Sequence, residues 1–184
     1  MKAGARALGI AESYTGETST LAGVLMTADG RLDGFSFGSC TVGGTDVSAG
    51  IINLVERLGR EDIRAVFLAG VALAWYNIVD LHRLTAVLNP PVVAVTFEES
   101  DGLESGITAA FDGDERADRL DRYRSLPPRH EVRVGETILY ARAVDVPADR
   151  AADLVSSYTK AGASRPEPLR VAKLAARAAD EVIA

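Results

Sequence analysis

Residues 6–40 read RALGIAESYTGETSTLAGVLMTADGRLDGFSFGSC, and they divide into three strands. The first covers 6–14, with apolar Ala7, Leu8 and Ile10, and the second covers 19–28, STLAGVLMTA. Asp29-Gly30 follows at once. That pair signals a hairpin, because a tight primed turn needs residues that tolerate positive φ. A third strand over 31–40 then completes an antiparallel meander.

Beyond this stretch the periodicity changes. Asp46 or Thr45 can cap a helix over 47–58, where Ile51, Leu54, Val55 and Leu58 recur at helical spacing and Gly59 marks the end. Residues 64–69, RAVFLA, are almost continuously apolar, as suits a strand covered on both faces of a parallel sheet. A helix over 78–88 stops before Pro90-Pro91, and 92–97, VVAVTF, is another buried strand. The stretch 98–130 is the most polar and holds helices at 103–111 and 114–124. A hairpin over 131–144 turns near Gly135, and helices at 148–159 and 168–183 close the chain. Pro166 and Pro168 fit the start of the last helix, where a missing N–H costs little. Three antiparallel strands followed by parallel βα units give an α/β chain with a mixed sheet and flanking helices. That order resembles the ribonuclease H-like pattern, carried by one domain over 1–184.

Composition narrows the setting. The net charge of −6 argues against tight nonspecific binding to nucleic acid, which relies on neutralising phosphates, but leaves room for a local basic groove. No apolar run reaches the roughly 18 residues of a membrane helix. The start, Met1-Lys2-Ala3-Gly4, is not a signal peptide, so a cytoplasmic protein is expected. Cys40 is the single cysteine and reads as a buried small residue near a strand end.

Four segments carry a family resemblance. They are Leu8-Gly9-Ile10-Ala11-Glu12-Ser13, Gly43-Gly44-Thr45-Asp46, Leu68-Ala69-Gly70-Val71 with Trp75-Tyr76-Asn77-Ile78-Val79-Asp80, and Arg165-Pro166-Glu167-Pro168-Leu169-Arg170-Val171-Ala172-Lys173-Leu174. Over about 6–182 the chain resembles the archaeal family called domain of unknown function ninety-nine, a relative of endonuclease V. The resemblance implies an endonuclease V-like fold. In endonuclease V, carboxylates at the ends of neighbouring central strands and on the first long helix hold Mg²⁺, which activates water for phosphodiester cleavage, and a histidine on the last helix assists.

This chain departs from that pattern where the chemistry would sit. The family's first strand typically reads Gly-Ile-Asp-Asp, but here the two acids are replaced by Ala11 and Glu12. Neighbouring strand residues point to opposite faces, so Glu12 does not stand in for the group missing at Ala11. The fourth strand typically ends Asp-Gly and here ends Ala69-Gly70, and the histidine after Arg-Val-Ala is Lys173. Only Asp46 matches a carboxylate position. One carboxylate is thin for Mg²⁺ or Mn²⁺, so ordinary endonuclease chemistry is expected to be impaired.

Other residues suggest binding. Lys173 shares a helix face with Arg170 and Arg177 and offers a fixed cation for phosphate, placed near Asp46 if the last helix packs beside the old metal site. Gly43-Gly44-Thr45 leads into a helix N-terminus and reads as an anion-binding turn or simply a tight turn. Trp75 and Tyr76 can stack on a base or anchor the next helix, and Asn77 can line the cleft. The arginine-dense stretch 116–133 suggests a nucleic-acid contact at its basic end, from Arg122 to Arg133.

The expected function is an endonuclease V-like pseudoenzyme that binds nucleic acid or another phosphate-bearing ligand, with Asp46, Glu12, Asn77 and Lys173 lining its cleft. Two alternatives remain. One is an active Mg²⁺- or Mn²⁺-dependent endonuclease rebuilt on Asp46, Glu12 and Asp80. The other is a protein-interaction subunit with a vestigial cleft.

Overall fold

The computed structural model describes residues 1–183. Strands β1 (Arg6–Ser13), β2 (Thr18–Thr27) and β3 (Leu32–Thr41) form the antiparallel meander. Helix α1 (Val47–Leu58) leads to β4 (Ile63–Leu68), and Gly59 ends that helix in the left-handed conformation at φ 60°. The short strands β5 (Ala72–Leu73) and β6 (Asn77–Ile78) precede α2 (Leu81–Val87) and β7 (Val92–Thr96). Helices α3 (Glu104–Ala110) and α4 (Gly113–Arg124) lead to the hairpin of β8 (His130–Val134) and β9 (Thr137–Ala143), then α5 (Ala148–Ser157) and α6 (Glu167–Ile183).

The seven-stranded sheet runs β3-β2-β1-β4-β7-β9-β8. Strands β1, β4 and β7 pair in parallel, and the flanking pairs are antiparallel. This is the mixed sheet expected from the sequence. The hairpin adds its two strands beyond β7, through pairs such as Val95 with Ala141.

Side-chain alternation along the central strands builds a core on each face. Leu8, Ile10, Val66 and Leu68 face α1 to α4, meeting Ile51, Leu54, Leu81, Leu84 and Ile107. Ala7, Ala65, Phe67, Val93 and Val95 face α5 and the start of α6, meeting Leu154, Val155 and Leu169. Phe67 and Tyr158 meet edge to face with centroids 5.5 Å apart.

The segment after β4 differs from the expected single helix over 78–88. Residues 77–78 pair as a strand with 72–73, and the helix begins only at Leu81. Asp80 sets that start, because its carboxylate accepts the Arg83 N–H at 2.9 Å as an N-cap. Ile78 and Val79, placed in that helix by the sequence reading, are buried instead as strand and connector residues.

Gly9 sets how closely α6 lies on β1. A Cβ there would stand 2.3 Å from the Pro168 carbonyl carbon and 2.5 Å from its oxygen. Gly9→Ala should therefore lower stability by about 3 kcal/mol. Gly16→Ala, with no atom within 4 Å of the added carbon, should change it by less than about 0.5 kcal/mol. Urea unfolding of the two variants checks the contrast.

Candidate functional site

The parallel strands β1 and β4 end side by side, with the Ala69 N–H donating to the Ile10 carbonyl at 3.0 Å. A cleft of about 190 Å³ opens there, lined by Glu12, Ala69, Phe97, Arg165, Leu169, Lys173 and Arg177. Ligands commonly bind at the carboxyl ends of such strands.

Lys173 comes from α6 and reaches the end of β1. Its ammonium donates to the Glu12 carbonyl oxygen at 2.5 Å and lies 3.6 Å from the Glu12 Oε1. The other Glu12 oxygen accepts the Ser19 hydroxyl at 3.1 Å. Glu12 shares the alternation of Leu8 and Ile10 and so leaves the sheet on the α1 side, whereas Lys173 arrives from the opposite face. They meet over the end of the strand.

Methyl groups occupy the place beneath α6. Ala11 is fully buried against Val24, Met26 and Ala172, and Ala69, Val171 and Ala175 pack around them. Asp180, further along α6, is buried and accepts the Ser13 hydroxyl at 3.3 Å.

Asp46 is engaged elsewhere. Its carboxylate accepts the Thr41 N–H at 3.1 Å, the Thr41 hydroxyl at 2.9 Å and the Asn77 side-chain amide at 2.7 Å. It stands at the N-cap position of α1, but its side chain makes no capping bond there. Asn77 provides the link to the helix. It is fully buried, accepts the Val47 N–H at 3.1 Å and donates to the Thr41 carbonyl at 2.9 Å. Desolvation works against the Asp46 charge, but the donors from Asn77 and Thr41 outweigh it and hold the carboxyl below the usual aspartate value. Lys173 contacts Glu12 and not Asp46, so the expected Asp46–Lys173 juxtaposition is corrected. The bonds that Asp46 accepts all come from the β3–α1 junction and from Asn77.

The remaining sequence-derived residues fall in separate places. Arg170 is turned from the cleft and grips Glu167 through two bonds of 2.9 and 2.7 Å. Trp75 and Tyr76 lie in a left-handed turn, with φ of 44° at Ala74, 55° at Trp75 and 59° at Tyr76. Such a run costs about 1–2 kcal/mol per residue. The aromatic packing of Trp75 and Tyr76 against Phe111, at 5.1 and 6.1 Å, holds it in place. Trp75 remains 47% exposed beside Gly43. Within the arginine-dense stretch, Arg124 pairs with Glu104 and Arg133 with Glu131, while Arg129 donates to the carbonyls of Ser100 and Glu98. Sequence reasoning missed Arg165 and Phe97 as cleft residues, because they come together only when the segment leading into α6 crosses the end of β7.

The donor set does not fit a divalent metal. Mg²⁺ sites use carboxylates with free lone pairs. Here the Glu12 carboxylate lies 3.6 Å from the Lys173 ammonium and accepts the Ser19 hydroxyl, Asp46 accepts from Thr41 and Asn77, and Ala11 and Ala69 offer no donors. Among the described residues, no three His, Cys, Asp or Glu side chains are grouped to share an ion. No described helix is long and apolar enough to cross a membrane.

The sheet order defines the fold class, a ribonuclease H-like α/β fold like that of endonuclease V. Within that class the chain belongs to the Endonuclease dU family, whose sequence profile matches residues 3–180. A UPF0215 protein of Pyrobaculum calidifontis is 32% identical over 182 residues, covering 96% of this chain and 97% of the relative. The crystal structure of a protein of unknown function from Archaeoglobus fulgidus superposes with a TM-score of 0.83 at 27% identity, covering 95% of this chain and 97% of that one. Endonuclease V of Ciona intestinalis, in complex with a 24mer DNA containing an inosine followed by a ribo-adenosine, superposes with a TM-score of 0.64. At 14% identity over 97% of this chain and 87% of the other, that likeness is one of fold.

Asn77→Ala should cost about 2–3 kcal/mol, because it strands the Val47 N–H and an Asp46 acceptor. The lowered Asp46 pKa means that its contribution is present above the unfolded aspartate pKa and is lost as pH falls through the lower folded value. Chemical denaturation of wild type and Asp46→Asn should therefore give stabilities that differ above about pH 4 and draw together only as pH falls further below it.

Proposed function

We propose that the cleft binds the phosphate backbone of nucleic acid without cutting it. The observation that supports this reading is the position of Lys173. Its ammonium sits at the end of β1, with Glu12 as its carboxylate partner. Arg165 and Arg177 line the same cleft, so three cations face one carboxylate. A surplus of fixed positive charge attracts phosphate, and it does so despite the net charge of −6 because the field is local.

Hydrolysis has no comparable support. The alanines at 11 and 69 leave no carboxylate there to hold a metal, and the Glu12 carboxylate already faces an ammonium. The protein is read as an endonuclease V-like binding module. Trp75, exposed beside Gly43, supplies a surface on which an unpaired base stacks.

The test combines binding and cleavage on one set of oligonucleotides, single-stranded and duplex, with and without deoxyuridine or inosine. The family name and the Ciona complex set that choice of probes. Fluorescence anisotropy should give a salt-dependent Kd that Lys173→Glu weakens by about tenfold or more, with the salt slope reduced by about one. Trp75→Ala should weaken single-stranded binding by about tenfold and leave the slope unchanged. Incubation with Mg²⁺ or Mn²⁺ should leave every substrate intact. Metal-dependent cleavage that disappears in Glu12→Gln would establish an active nuclease on a rearranged site. Absence of binding at low salt by a folded sample would leave the cleft to a protein partner.

A further inference from the structure

A larger cavity adjoins the cleft, of about 350 Å³ and open at the carboxyl ends of β4 and β7. Its floor is built from small residues of these strands and the turn after β4, among them Gly70, Val71 and Ala94. Gly70 takes φ of 101°, a conformation that side chains rarely adopt.

Three arginines line the cavity, each stacked on an aromatic ring. Arg129 lies 4.2 Å over Tyr140, Arg142 lies 5.3 Å from the Tyr123 centroid, and Arg165 lies 4.4 Å over Phe97. Stacking fixes each guanidinium in orientation but does not neutralise it. Among the described residues, none of the three forms an ion pair with a carboxylate. Arg142 donates to the Pro127 carbonyl at 2.7 Å and the Tyr123 hydroxyl at 3.2 Å, both uncharged acceptors. Burial works against its charge and lowers its pKa. The Nε of Arg129 is buried without a hydrogen-bond partner. Arg165 makes no hydrogen bond to another described residue. Glu98 is the one carboxylate on the lining, and Arg129 meets its backbone carbonyl.

Convergent cations without a carboxylate partner, Arg142 among them half-buried, favour an anion above an apolar floor. The cavity volume falls within the range of about 300–1,000 Å³ usual for small-molecule sites. We infer that this cavity is a binding site for a small free anion with a planar apolar body, its ring on the Gly70–Val71 floor and its charged group between Arg142 and Arg165. An aromatic carboxylate and a nucleoside monophosphate share this chemistry. The site is distinct from the Lys173 cleft and stands whether or not that cleft binds nucleic acid, although Arg165 lines both.

Isothermal titration of the full chain at low salt tests it, with four nucleoside monophosphates, benzoate, indole-3-carboxylate and inorganic phosphate as probes. The expected result is one-to-one binding of at least one planar anion, at least tenfold tighter than inorganic phosphate. Tightest binding by a nucleotide or by a carboxylate identifies the source. Arg142→Met, which keeps an apolar stem over Tyr123, should weaken that binding at least tenfold. Arg165→Gln, on the shared rim and free of protein hydrogen bonds, should weaken it without loss of fold. Lys173→Met should leave it within about threefold, since its ammonium belongs to the other cleft. Planar anions bound no more tightly than phosphate would overturn the proposal, as would affinity indifferent to both arginine substitutions.

Discussion

Helix α6 can lie on β1 only because Gly9 presents no side chain to the backbone of Pro168. That close approach sets the depth of the helix on the sheet. It presses Ala172 onto Ala11 to make a dry seam, and it brings Lys173 to the end of β1, where the ammonium meets Glu12. It also carries Arg165, just ahead of the helix, over Phe97. Most features of the cleft descend from this one contact between a glycine and a helix start.

The cleft illustrates how a metal site and a cation site exclude one another. A divalent ion needs oxygen donors with free lone pairs, and a resident ammonium competes for the same oxygens. Glu12 is committed to Lys173 and Ser19. Removing the lysine would leave a half-buried carboxylate without its partner, and adding a metal would set two cations against one acid. The alanine seam reinforces the exclusion, since a carboxylate placed there would be cut off from water and costly to ionise.

Much of the fold was legible in the sequence. Asp29-Gly30 between two apolar runs indicated the meander, and the continuous runs at 64–69 and 92–97 indicated central parallel strands. The turn at 70–80 was not, because three successive non-glycine residues in left-handed geometry contradict local preference and depend on Phe111, remote in sequence, for support. The site was legible in part. The residues at positions 11, 69 and 173 stood out against the pattern of the family that the sequence resembles, but their partners did not. The fold pairs Lys173 with Glu12 across the end of a strand, which no spacing rule connects, and ties Asp46 to Asn77 at the junction of β3 and α1. The arginine cavity was beyond sequence reasoning altogether, since Arg129, Arg142 and Arg165 come from three different segments and converge only when β9 adds beside β7.

The central proposal is that the lysine–glutamate pair and the alanine seam leave no built site for a divalent metal at the ends of β1 and β4. Titration of the wild-type protein with Mn²⁺, followed by electron paramagnetic resonance of the free ion, tests this directly. The account predicts no site tighter than about millimolar, in keeping with scattered surface carboxylates. One or two equivalents of Mn²⁺ bound with a Kd of about 10 μM or below would contradict it, because affinity of that order needs a built set of donors.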